Sequence, residues 1–289
     1  MHRILWLFGC WLMFSGCFGR WVMTKKELRN YYADKPRPVF ITIEKDSIKL
    51  FCATTGSDTL PPLLLIHGAP GAWYGSRTML DDTMLQKKFQ IIAMDRLGYH
   101  NSRFKNKRKA VTSMDTQAKA IYEALRLNKS HEKGIVLGSS YGAPIAAELA
   151  VLHPEKFRHL FILAAAIEPD KEKFWWFHKY IRRGPVYWFF PRYIKTATDE
   201  KFSHVKELRK FEPLWKQLSI PVTMIQGGSD KLVDPSNMDY AKKQLLGKEA
   251  EFIFLPGVGH MIRFTQSKML REILLKPVDS LHYQSSLQR

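Results

Sequence analysis

Cysteine is scarce in this chain, 3 among 289 residues. Three thiols cannot frame a disulfide-stapled scaffold at that length. No Cys-x-x-Cys and no Cys/His cluster occurs, which excludes a structural zinc site of the usual ligand spacing. The uncharged run Ile4–Phe18 is about fifteen residues, short of the roughly twenty that a membrane span needs. Acidic residues are few beside basic ones, 27 against 45, for a formal net charge of +18. An excess of that sign favours anionic partners and says nothing of fold. There is no internal repeat, no low-complexity tract and no recognisable nucleic-acid module, so no nucleic acid is expected and an anionic membrane surface remains. With 45% hydrophobic and 25% charged residues, 17 Gly and 15 Pro, the chain is neither disordered nor collagen-like, and it is long enough for a large core.

What is present begins with a targeting segment. Met1-His2-Arg3 precedes the apolar run, and Arg20, Lys25 and Lys26 follow it, the order of a secretory signal. Ser15 and Gly16 stand immediately before Cys17. This resembles a bacterial lipoprotein signal, with Phe14 where leucine is usual. The resemblance implies a signal peptide over 1–16, lipidation at Cys17, and a cell-envelope location in the outer membrane or periplasm. The alternative is an uncleaved N-terminal anchor, since positive charge is denser after the run, at Lys25, Lys26 and Arg29. Residues 24–38 are polar and carry Asp34-Lys35-Pro36-Arg37-Pro38, a composition that suits a tether, expected over 17–38. Cys10 reads as a small hydrophobe of the leader, and Cys52 as a buried structural thiol.

From Val39 to Phe51, two strand-like stretches flank Lys45-Asp46, the pattern of a hairpin. Short apolar runs then read as buried strands: Leu63–Ile66, Ile91–Met94, Ile135–Leu137, Leu160–Ala164, Val222–Ile225 and Glu251–Leu255. Helical patterns fall between them, near 77–88, 113–127, 142–152, 236–246 and 262–275. This alternation predicts an α/β fold, a mostly parallel sheet covered on both faces. Residues 166–219 break it with thirteen aromatics. They include Phe174-Trp175-Trp176-Phe177 and Tyr187-Trp188-Phe189-Phe190. The expected organisation is a core over 39–165 and 220–277, an inserted helical cap over 166–219 and a C-terminal tail over 278–289.

Gly138-Ser139-Ser140-Tyr141-Gly142 lies directly between a strand-like run and a helical one. A serine hydroxyl is a poor nucleophile unless it is exposed, held still and paired with a base. A sharp strand-to-helix turn exposes Ser140, and glycines two residues either side allow the crowded backbone. His67-Gly68-Ala69-Pro70-Gly71 follows another strand. The N–H of Ala69, with that of Tyr141, would supply the two donors of an oxyanion hole. His67 itself reads as a residue fixing that turn. The base is expected late in the chain, and His260 follows the last strand in Gly257-Val258-Gly259-His260. The orienting carboxylate is expected after the preceding strand, at Asp230 in Gly227-Gly228-Ser229-Asp230. Asp234, before Pro235, is the competitor, and Asp95 a minor alternative that reads as loop-fixing.

The chain order Ser140, Asp230, His260 resembles that of the α/β-hydrolases. His67–Gly71 is similar to their oxyanion loop, and Asp95-Arg96-Leu97-Gly98-Tyr99 to the loop after their fourth strand, with His100 where a glycine is usual. The resemblance covers about residues 39–275, and 166–219 falls where that family inserts a cap. Epoxide hydrolases and haloalkane dehalogenases share the His-Gly-x-Pro loop but use Asp as nucleophile, so Ser140 argues against those chemistries. Proline iminopeptidases are similar as well, yet usually carry Trp where this chain has Tyr141.

The resemblance implies a serine hydrolase, with no metal or organic cofactor, acting on a small-molecule or lipid ester with an apolar part. A peptidase of the proline iminopeptidase type, a C–C bond hydrolase and an acyltransferase remain open on the same triad. From another class, so does a non-catalytic membrane-tethered binding lipoprotein. The cap carries twelve basic against seven acidic residues, and Arg103–Lys109 adds five basic residues in seven. Such runs are solvated faces or attractors of anionic headgroups.

Overall fold

The computed structural model describes residues 22–105, 109–174, 187 and 190–276. The leader 1–16, Cys17, the tail 278–289, residues 106–108 of the basic run, and Trp175, Trp176, Phe177, Trp188 and Phe189 lie outside the described residues.

The apolar runs pair into one mixed sheet. An N-terminal helix α1 (Lys25–Tyr31), closed by a capping box between Thr24 and Glu27, precedes the hairpin β1 (Val39–Lys45) and β2 (Ile48–Thr55). Their antiparallel register runs to Lys45↔Ile48 around Asp46-Ser47. Asp46 takes the positive φ of 48° that a two-residue hairpin turn demands. The other long strands are β3 (Pro62–Ile66), β4 (Gln90–Met94), β6 (Gly134–Ser139), β7 (Phe157–Leu163), β8 (Val222–Gly227) and β9 (Ala250–Leu255), with β5 (Arg103–Phe104) a short partner of β2. The order is β1-β2-β4-β3-β6-β7-β8-β9, and β3, β4 and β6 to β9 run parallel.

Every residue of β3, β4, β6 and β8 is buried. That is why these strands read as unbroken apolar runs rather than alternations. The period of two decides which layer each side chain enters. Leu64, Ile66, Ile92, Met94 and Val136 pack on one face, and Leu63, Leu65, Ile91, Ala93, Ile135 and Leu137 on the other. The first face is covered by α2 (Met114–Tyr122), α3 (Gly142–Leu152), the end of α4 (Arg192–Phe211) and Trp215. The second is covered by Tyr32, Trp73, Leu80, Ile262 and Ile273. Cys52 belongs to the first core, and burial raises its thiol pKa well above the ordinary value.

The helical stretches are more broken than the sequence pattern suggests. Residues 77–88 form two single turns, Arg77–Leu80 and Thr83–Gln86. The Asp82 carboxylate breaks the path by accepting from Met84 N and Leu85 N, capping the second turn. Residues 262–275 divide into Ile262–Thr265 and a helix over 267–276. α5 (Asn237–Gln244) joins β8 to β9. Among the described residues no helix is long and apolar enough to cross a membrane.

The insert between β7 and β8 contains α4, twenty residues long, and 3₁₀ turns at Pro169–Lys171 and Glu212–Gln217. α4 is bonded to the core along its length. Thr196 Oγ1 donates to Gly98 O at 3.1 Å, and Glu207 Oε2 accepts from Met114 N at 3.2 Å. Strand order reverses between β3 and β6, and in open α/β sheets the crevice at such a switch point is where ligands bind. The carboxyl ends of these two strands carry His67–Gly71 and Ser140.

Candidate active site

Ser140 directly follows β6 with φ at +53°, a left-handed backbone that L residues rarely adopt and that places a side chain atop a strand–helix elbow. Its N–H donates to Leu163 O at 2.9 Å and its carbonyl accepts from Ala143 N at 3.0 Å. The two neighbouring glycines are required by contact. A Cβ on Gly138 would lie 2.4 Å from Gly142 O, and one on Gly142 would lie 2.5 Å from His67 O. Ser140 is half-buried, while Ser139 beside it is inside. Tyr141, with φ −56° and ψ −26°, stands at the N-terminal end of α3, where helix N–H groups have no intrahelical acceptor.

The loop after β3 presses on this elbow: a Cβ on Gly68 would lie 3.0 Å from Ser140 Cβ and 3.4 Å from its Oγ. His67 is buried here, and its hydrogen bonds fix its tautomer. Nε2 lies 2.9 Å from the backbone N–H of Arg96 and must accept. Nδ1 therefore carries the proton and donates to Gly68 O at 2.7 Å. Burial, reinforced by the Arg96 charge, pushes the His67 pKa well below the ordinary value. One ring nitrogen is bonded within the β3 loop and the other to the loop after β4, so His67 ties the two loops together.

Asp230 and His260 come together from the ends of β8 and β9. His260 Nδ1 lies 2.7 Å from Asp230 Oδ2, and their loops are laced by Ser229 N donating to Val258 O at 3.0 Å. The other carboxylate oxygen of Asp230 accepts from Leu232 N and Val233 N at 2.9 and 3.0 Å. Burial would raise this carboxyl, but the hydrogen bond and charge of His260, with the two N–H groups, outweigh it and hold the pKa below the ordinary value. With Nδ1 donating to Asp230, the His260 ring is held by the carboxylate in one tautomer.

Asp234 is used otherwise, accepting from Ser236 N and facing Lys173. Asp95 is fully buried and accepts from Trp73 N and Asn101 N, which anchors the loops after β3 and β4. Burial raises its pKa to about 7. His100 adopts φ +36° and stacks on Tyr193 of α4 at 6.0 Å. The positive φ explains why glycine is usual at that position.

One group around the elbow was not brought together by sequence reasoning. Arg96 is fully buried beneath the β3 loop and paired with Glu200 of α4, which also accepts from the Tyr99 hydroxyl. The Tyr141 ring lies over Arg96 at 5.0 Å and against His204 at 4.4 Å. His204 Nδ1 is 2.9 Å from Glu172. Burial would raise the Glu172 carboxyl, yet His204 and Lys201 hold it down at about 2. A clue for Arg96 existed, a charge two residues past the apolar run Ile91–Met94. Glu200 sits in a charged helix with no comparable clue.

A family model described as alpha/beta hydrolase fold matches residues 61–207. The chain belongs to the alpha/beta hydrolase family. Among curated proteins, this alpha/beta hydrolase is 25% identical over 198 residues to epoxide hydrolase 3 of Xenopus tropicalis, covering 67% of this chain and 50% of that one. It is 30% identical over 130 residues to proline iminopeptidase of Lactobacillus helveticus, covering 44% and 42%. The chain spans about half the length, or less, of these curated relatives. Among solved structures, a serine hydrolase from the polyaromatic-hydrocarbon-degrading bacterium Cycloclasticus zankles matches with a TM-score of 0.64 at 15% identity, over 84% of this chain and 98% of that one. At that identity the likeness is one of fold.

Proposed function

We propose that this alpha/beta hydrolase is a serine esterase that cleaves a carboxylic ester with an apolar part, through an acyl-enzyme on Ser140. The reading is carried by the Asp230–His260 pair, bonded at 2.7 Å at the same carboxyl end of the sheet as the Ser140 elbow. Ser140 Oγ attacks the acyl carbon while His260 Nε2 takes its proton. The N–H groups of Ala69 and Tyr141 receive the developing oxyanion. His260 then protonates the departing alkoxide, the C–O bond breaks, and the acyl group stays on Ser140. Water, deprotonated by His260, attacks the acyl-enzyme and releases the acid. Asp230 orients the imidazole and stabilises the imidazolium.

The likeness to an epoxide hydrolase does not carry its chemistry over, because Ser140 stands at the nucleophile elbow. The likeness to proline iminopeptidase favours a second reading, release of an N-terminal residue by the same three side chains. A panel of p-nitrophenyl esters of increasing acyl length, with a prolyl arylamide alongside, tests both against Ser140→Ala. Ester turnover lost in Ser140→Ala supports the esterase. Turnover of the arylamide alone supports the peptidase, and turnover of neither sinks both readings.

The same proposal places the chain at a membrane, with residues 166–219 as the cap. An open cleft of about 440 Å³ beside α4 is lined by Lys109, Arg192 and Lys195, with Asp199 and Tyr187. Its cationic character suits an anionic headgroup. Anchoring rests on Cys17. Incorporation of radiolabelled palmitate that survives Cys17→Ser rules that residue out as the lipid site.

A further inference from the structure

The Arg96 guanidinium gives four hydrogen bonds to three residues. Nε donates to His67 O at 2.9 Å and Nη2 to Gly68 O at 3.0 Å. The other edge meets Glu200, with Nη1 to Oε1 at 2.6 Å and Nη2 to Oε2 at 3.0 Å. Both side chains are 0% exposed. The Tyr99 hydroxyl donates to Glu200 Oε2 at 2.6 Å and so fixes the carboxylate in turn. Burial works against the Arg96 charge, but the adjacent carboxylate more than offsets it and keeps the guanidinium ionised. A planar fork held by a bidentate carboxylate has one orientation, which a lysine or an unpaired arginine would lack.

Peptide geometry carries that orientation into the candidate site. In a planar trans peptide, the carbonyl of one residue and the N–H of the next point in opposite directions. The Gly68–Ala69 peptide is trans, so a Gly68 carbonyl held on Arg96 turns the Ala69 N–H the other way. We propose that Glu200 is a positioning residue for the oxyanion loop. It holds Arg96, Arg96 holds the Gly68 carbonyl, and that carbonyl sets the direction of the Ala69 N–H. Glu200 belongs to α4, in the insert, so the oxyanion hole is complete only when α4 is docked. The Tyr141 ring against Arg96 and His204 ties the second donor residue to the same arrangement. This inference rests on the reading of Ser140 as nucleophile and Ala69 as oxyanion donor.

The test uses the full chain with Glu200→Gln and Tyr99→Phe. A fluorophosphonate counts competent sites, kcat and KM are measured on p-nitrophenyl butyrate, and inhibition is measured with a trifluoromethyl ketone, which forms an oxyanion on the enzyme. The expected result is a kcat per labelled site about tenfold or more lower in Glu200→Gln and about threefold lower in Tyr99→Phe, with little change in KM. Ketone affinity falls in parallel with kcat. A purely structural role would reduce the melting temperature and the labelled fraction while leaving kcat per labelled site within about twofold of wild type. That result overturns the proposal. If Glu200→Gln does not fold, Tyr99→Phe decides alone, and an unchanged kcat per site overturns it. A wild-type protein that takes no label and hydrolyses no ester removes the serine-hydrolase reading, and the positioning role falls with it.

Discussion

His260 Nδ1 lies 2.7 Å from Asp230 Oδ2, whereas Asp234, four residues on, accepts from the backbone and hydroxyl of Ser236 at 3.1 and 2.9 Å. Two carboxylates in one loop therefore have separate tasks. An amide at position 230 would favour the wrong imidazole tautomer, so Asp230→Asn is expected to lower kcat by about 10⁴-fold. Asp234→Asn disturbs a turn and is expected to stay within about threefold of wild type. Steady-state ester hydrolysis by the two variants checks this. Equal losses would contradict the assignment of Asp230.

His67 is expected to affect stability without owning the acid–base step. Replacing it by Ala removes the acceptor of the buried Arg96 N–H and a donor to Gly68 O. An orphaned buried donor costs about 1–3 kcal/mol, so His67→Ala is expected to unfold at lower urea concentration. The acidic limb of its pH–rate profile should keep its wild-type position, because both His67 ring nitrogens are committed to backbone groups. A profile that loses the limb would make His67 the base.

Much of this arrangement was legible along the chain because the signals are local. Strands buried on both faces read as unbroken apolar runs, and Gly138 to Gly142 bracket a serine between a strand and a helix. Asp46 marked the hairpin turn. The Arg96–Glu200 pair was not legible, because its members are 104 positions apart and each resembles an ordinary surface charge until the fold buries both. The break at Asp81-Asp82 was equally hidden. An apolar period continued through it, and only the Asp82 cap shows the chain restarting. The family placement agrees with the motif reading.

Glu148 is expected to make stability depend on pH. It is buried on α3, and burial, with the Asp115 and Glu207 carboxylates nearby, raises its pKa from 4.5 to about 7. Lys119 and Lys210 act in the opposite sense but bond to Asp115 and Glu207. A raised carboxyl pKa means that the folded state binds its proton more tightly than the unfolded state. Its contribution is therefore fully present below about pH 4.5 and is lost as pH rises through about 7. Glu148→Gln removes this dependence and is expected to gain up to about 3 kcal/mol over wild type near pH 8, and much less near pH 5. Urea unfolding of both proteins at the two pH values measures the difference. A gain equal at both would contradict the raised pKa.

The central claim is that Ser140 is an activated nucleophile. Intact-protein and peptide mass spectrometry after treatment with a fluorophosphonate tests it most directly. The expected result is one adduct per folded chain, on the peptide containing Ser140, and none in Ser140→Ala. A folded wild-type protein that takes up no adduct, or a Ser140→Ala variant that labels as well as wild type, would contradict it.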